Sequence, residues 1–180
     1  MRLQPLPADQ WDDAVEQALS GMLPPERRNP EDAGTLMSTL ARHPKLARAY
    51  LRFGGYLLLE SSLPARIREL AILRVAHRRE CAYEWSHHVD IAMKAGLTDA
   101  EIAAARSGEA DDEFERAVLT AVDELDEKSN ISDRTWATLC ERLDERQRMD
   151  LVFTIGGYIA LAMAINAFGV QIENTETRNR

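Results

Sequence analysis

Cysteine is scarce in this chain: 180 residues contain only Cys81 and Cys140. Two are too few for a disulfide framework, and no paired-cysteine spacing of the zinc-binding kind is present. Lysine is scarce as well, at Lys45, Lys94 and Lys128 only, so arginine carries nearly all the positive charge. The formal net charge is −8. An acidic chain argues against nucleic acid as the main partner, which would favour a basic surface. The first seven residues, Met1-Arg2-Leu3-Gln4-Pro5-Leu6-Pro7, lack the apolar core of a signal peptide. A cytoplasmic, reducing compartment is therefore expected. No internal repeat, low-complexity tract or alternating strand pattern appears.

What is present reads as helix. Residues 1–30 are polar and proline-rich, with one short helix expected around residues 11–19. Pro24, Pro25 and Pro30 make residues 23–31 a loop. Helices are then expected over 43–59, with Gly54-Gly55 as a weak point, and from Pro64 to about residue 77. A further helix over about 80–95 is stopped by Gly96. Thr98-Asp99-Ala100-Glu101 is a capping box that opens another. An amphipathic helix over 112–127 and one capped by Ser132 follow. A long apolar helix runs from near residue 144 to 169. The expected fold is all-α, about eight helices, with an N-terminal extension (1–30), a helical domain (31–172) and a polar tail (173–180). Residues 151–168 approach the length of a membrane span. They form the only such segment, and charged residues crowd its front, so burial against other subunits is the expectation.

Chemistry concentrates in Glu80-Cys81-Ala82-Tyr83-Glu84-Trp85-Ser86-His87-His88. At about 100° per residue, Cys81, Glu84 and His88 fall on one helix face together with Trp85, Ile91, Ala92 and Ala95. Three reactive groups thus lie in the stripe expected to be buried, where ionisable groups are costly unless paired. Cys81 is expected in the first helical turn, after His77-Arg78-Arg79, which favours thiolate; its other role is a small buried hydrophobe. Glu84 and His88, at i and i+4, can touch and share a proton as an acid–base pair. Their structural alternative is an ion pair or a core histidine with its partner. His87 is rotated to the edge of the stripe. Glu69, the only carboxylate of the preceding helix, either relays protons or pairs with an arginine. One helix face supplies too few ligands for a metal, and no cofactor is expected.

The block from Leu63-Pro64-Ala65-Arg66-Ile67-Arg68-Glu69 through Val75-Ala76, the motif helix and Ala95-Gly96-Leu97-Thr98-Asp99-Ala100-Glu101-Ile102 resembles the carboxymuconolactone decarboxylase family. That family includes the alkylhydroperoxidase D proteins, which share its all-helical fold. The resemblance extends weakly to Gly156-Gly157-Tyr158 and Asn166-Ala167-Phe168-Gly169-Val170. In the peroxidase branch the motif is Cys-x-x-Cys-x-x-x-His, with a glutamate twelve residues before the first cysteine. The resemblance places these on Cys81, Glu84, His88 and Glu69, with a carboxylate where the second thiol stands. It implies two activities. One is a cofactor-free proton-transfer enzyme acting on a small acidic, lactone or carbonyl substrate, with Arg66, Arg74 and Arg78 as candidates to hold carboxylates. Arg74, Trp85 and His87 are the substrate-binding candidates of the site. The other is a thiol peroxidase using Cys81, with Cys140 available only if the fold brings it near. A non-enzymatic helical module is the third reading. The resemblance also implies a homo-oligomer, trimeric or hexameric. A small-molecule substrate is expected, with neither nucleic acid nor membrane as a partner.

Overall fold

The computed structural model describes residues 1–173, and these are helical with no strand among them. The part of the expected tail from residue 174 on lies outside the described residues. Nine α-helices occur among the described residues: α1 (Asp13–Leu19), α2 (Gly34–Leu40), α3 (Pro44–Gly55), α4 (Ala65–Arg78), α5 (Ala82–Lys94), α6 (Asp99–Ser107), α7 (Glu113–Lys128), α8 (Asp133–Cys140) and α9 (Glu145–Phe168). The extra helix is α2. It is seven residues long, begins at a glycine and has no side-chain cap. Nothing local announces it.

The chain forms two compact units, residues 61–164 and residues 1–60 with the described residues from 165 on.

In the unit of residues 61–164, α4 is the central helix. Its residues from Glu69 to Ala76 are all buried, and it packs against α5, α6 and α7. Leu70, Ile72 and Leu73 are almost completely covered. Burial of side chains this size contributes about 1.5–3 kcal/mol each, enough to hold a helix with one arginine and one glutamate in its interior. Helix ends in this unit follow local chemistry. Gly96, at φ +90°, closes α5, with Leu97 N–H donating to the Ala92 carbonyl at 3.0 Å. The Thr98–Glu101 capping box opens α6. Asp112 caps α7 and Ser132 caps α8. Asp150 of α9 accepts from both the backbone N–H (2.6 Å) and the hydroxyl (2.7 Å) of Ser62, which fixes α9 to the segment before α4.

The junction of α4 and α5 places the reactive residues of the motif. The helix expected from residue 80 begins at Ala82, with Cys81 as its N-cap. Glu80 adopts φ +51°, Glu80 N–H donates to the His77 carbonyl (3.1 Å), and Cys81 N–H donates to the Ala76 carbonyl (2.8 Å). This pair of bonds is a Schellman ending of α4. Cys81 therefore terminates one helix and begins the next.

α9 is the one helix among the described residues long and apolar enough to cross a bilayer, and 39% of its apolar window is buried within the chain. Met149, Phe153 and Met163 are exposed on it.

In the other unit, α1 packs on α3. The chain crosses closely at Gly55, one of the two glycines that the sequence marks as weak, and Gly21. A Cβ on Gly55 would lie 2.0 Å from the Gly21 carbonyl oxygen, which is backbone and cannot rotate away. The helix continues through Gly55 and then widens into a π turn over Tyr56–Glu60. Replacement of Gly55 by Ala is expected to lower unfolding stability by about 2 kcal/mol. A urea titration with an unchanged midpoint would show that the two backbones can separate freely.

Candidate active site

The Schellman turn sets the chemistry at the start of α5. Cys81 and Glu84 hold the N-cap and N3 positions of the helix. With serine or threonine at the cap, N3 glutamate reaches back to the N-cap backbone N–H. Here that N–H is already bonded to Ala76 at the end of α4. Glu84 consequently has no hydrogen-bond partner for either carboxyl oxygen, although it is only 2% exposed. The Cys81 thiol, 1% exposed, is the group that interacts with it.

Both groups are forced toward their neutral forms. Burial pushes the Glu84 carboxyl up to about 8, and the neighbouring thiol offsets only part of that rise. A carboxylate in the first turn of a helix is ordinarily favoured as the anion by about 0.3–1 kcal/mol. Desolvation outweighs this here. Burial, and then the adjacent Glu84 charge, push the Cys81 thiol up to about 12. The thiolate expected from a helix N-terminus is therefore not favoured: Cys81 sits in a covered junction between helices, and its neighbour is acidic.

One turn further along α5, His88 is in a different situation. Its Nδ1 lies 2.7 Å from Glu69 Oε2 on α4, and the other oxygen of Glu69 accepts from Arg68 Nε at 2.9 Å. Glu69 has no exposed surface; the Arg68 guanidinium compensates its charge on one oxygen, and the imidazole satisfies the other. The edge of the Tyr158 ring meets the His88 ring at 5.1 Å, nearly perpendicular at 87°. Nδ1 donating to the carboxylate leaves Nε2 as the nitrogen that can exchange a proton. The structure thus joins His88 to Glu69, and not to Glu84 as the i, i+4 spacing suggests.

The remaining sequence candidates are occupied elsewhere. Arg74 is buried and spent: Nε and Nη2 bind Asp123 at 2.8 and 2.7 Å, and Nη1 reaches the Ala105 and Arg106 carbonyls. Arg66 is held by Glu101 and Glu115, and Arg78 by Asp123, Asp126 and Glu127. Trp85 packs against the core beneath the Arg106 guanidinium, 4.2 Å from the ring centre. His87 stacks on Tyr83, with its Nδ1 2.9 Å from the Tyr83 carbonyl. Cys140 ends α8, exposed, and both cysteines are free. Arg68 and Tyr158 are the residues that sequence reasoning passed over. Arg68 adjoins Glu69 in the chain, and Tyr158 stands in a segment whose resemblance is weak. No group of three or more His, Cys, Asp or Glu among the described residues is arranged to hold a metal ion.

Residues 44–127, which contain this whole cluster except Tyr158, match the model of the Carboxymuconolactone decarboxylase family. Over that segment, which is just under half of the chain, the sequence is similar to that family. Its fold is that of alkylhydroperoxidase AhpD. A solved AhpD-core structure, an uncharacterized peroxidase-related protein from Ralstonia eutropha JMP134, superposes with a TM-score of 0.77 at 17% identity, covering 98% of this chain and 95% of that one. The debrominase Bmp8 in its apo form gives a TM-score of 0.72 at 19% identity, covering 98% and 94%. A cysteine-to-alanine variant of Bmp8 in complex with 2,3,4-tribromopyrrole gives 0.71 at 20% identity, covering 99% and 94%. No curated protein matches the chain.

The raised Glu84 carboxyl makes stability depend on pH. Between about 4.5 and 8 the folded chain keeps a proton that the unfolded chain has released, so stability falls as pH rises through that window. Glu84→Gln is expected to match the wild type near pH 4.5 and to exceed it by a few kcal/mol at pH 8.5. Urea titrations at the two pH values check this; a constant difference between the two proteins would contradict it.

Proposed function

We propose that this protein is a cofactor-free proton-transfer enzyme acting on a small acidic, lactone or carbonyl compound. The observation that carries the reading is the contrast between two buried carboxyls, Glu69 on α4 and Glu84 on α5, helices that pack against each other. Glu84 has only the Cys81 thiol beside it among the described residues and keeps its proton near neutrality, while Glu69 is locked between Arg68 and His88. Environments that separate two such groups assign the acid and the base. Glu84 is the acid that delivers a proton to carbon. His88 Nε2, supported through Nδ1 by Glu69, is the base. In a decarboxylation the bond to the leaving carboxylate breaks and its electron pair forms an enolate. Glu84 O–H then protonates the enolate carbon and is reprotonated by water. In an isomerisation His88 removes the first proton and Glu84 gives the second; exchange with water then takes the proton from His88 and restores the one on Glu84. General acid–base groups of this kind contribute roughly 10²–10⁴-fold each.

The test is turnover or carbon–deuterium exchange, followed by proton NMR in deuterium oxide on a panel of small lactones and keto acids. Glu84→Gln and His88→Asn are each expected to lower the rate by about a hundredfold or more, and Cys81→Ser to retain much of it. Full activity in His88→Asn would sink the reading.

The second reading is a thiol peroxidase using Cys81. It is supported by the contact between Cys81 and Glu84 and by the fold shared with a peroxidase-related protein. The covered, protonated thiol weighs against it, because the thiolate is the reactive form. Intact-mass measurement after one equivalent of hydrogen peroxide is expected to show no oxidation at Cys81. Rapid, stoichiometric oxidation there would promote this reading above the first.

A further inference from the structure

The arginines around the motif fall into two groups. Arg66, Arg74 and Arg78 each end on carboxylates of α6 or α7. Arg68 does not. It gives only Nε, to Glu69 Oε1, and Nη1 and Nη2 have no protein partner among the described residues. Its side chain is 12% exposed, so the guanidinium is largely out of water and pinned at one edge. Its two Nη groups are also absent from the buried polar atoms that lack partners, so they keep some solvent access. A guanidinium held through Nε presents Nη1 and Nη2 as a free end-on fork, whose planar geometry matches the two oxygens of a carboxylate.

Charge points the same way. Arg68 and Glu69 compensate each other. When His88 takes up a proton, the cluster of Arg68, Glu69 and His88 gains a net positive charge in a buried place. A ligand carboxylate on the fork would balance it. We infer that Arg68 is the anion-binding and specificity-determining residue of this site, holding a carboxylate of the substrate through Nη1 and Nη2 while Nε positions Glu69. The inference rests on the proposed proton-transfer reading and narrows its substrate class from acids, lactones and carbonyls to those carrying a carboxylate.

The test is calorimetric titration of the full chain with glutarate and with its uncharged dimethyl ester. The wild type is expected to bind glutarate about tenfold or more tightly than the ester. Arg68→Gln is expected to bind the two alike, whereas Arg66→Gln, whose guanidinium is engaged elsewhere, keeps the preference. Arg68→Lys serves where Arg68→Gln does not fold; it keeps the charge, lacks the fork and is expected to lose most of the preference. No glutarate binding by the wild type, no preference for it over the ester, or the full preference retained in a folded Arg68 variant would overturn the inference. Glu84→Gln separates the two ideas. It is expected to keep the glutarate preference and lose proton transfer, so a wild type that prefers glutarate while Glu84→Gln remains fully active defeats the mechanism and leaves the anion site standing.

Discussion

The structure of residues 61–164 depends on how one charge is buried. Glu69 sits in the middle of α4 with no exposed surface, among Leu70, Ala71, Ile72 and Leu73. An unpaired carboxylate there would cost several kcal/mol. Arg68 from the same helix and His88 from α5 remove that cost, one on each oxygen. The pairing also decides where α5 lies, because only one register of α5 against α4 brings His88 Nδ1 to Glu69. The interaction that allows α4 to be buried is thus the one that orients the imidazole.

Much of the fold was legible because its signals are local. Gly96, the Thr98–Glu101 box and the Asp112 and Ser132 caps each act within one helical turn, and each forms as its spacing requires. The second helix was not legible: its short run between Ala33 and Ala41 lacks a side-chain cap. The burial of the motif residues was legible in the sequence, whereas their pairing was not. Helical periodicity places Cys81, Glu84 and His88 on one face correctly, yet the partner of His88 comes from another helix. Periodicity within one helix carries no information about that contact. The arginines show the same limit. Counting residues from the motif singles out Arg74, but its side chain crosses to Asp123, and the residue beside Glu69 is the one with donors to spare.

The two reactive groups at the start of α5 illustrate competition between effects of different size. The position in the helix favours anions there, for both the thiol and the carboxyl, but by only about 0.3–1 kcal/mol. Burial acts in the opposite direction and more strongly, so both groups are held neutral. Sequence position reveals the first effect. Only the three-dimensional surroundings reveal the second.

The shared residue between α4 and α5 has a consequence for chain length. Cys81 closes one helix and opens the other, so no spare residue separates them. Adding or deleting a single residue at Arg79 or Glu80 would turn the whole of α5 by about 100° relative to α4. His88 would swing away from Glu69, and Glu84 would leave the covered junction that keeps it protonated. A substitution at this turn changes one side chain, whereas an insertion dismantles the acid and the base together. The count of residues between Glu69 and Cys81 is therefore as strict a requirement of this site as their identities.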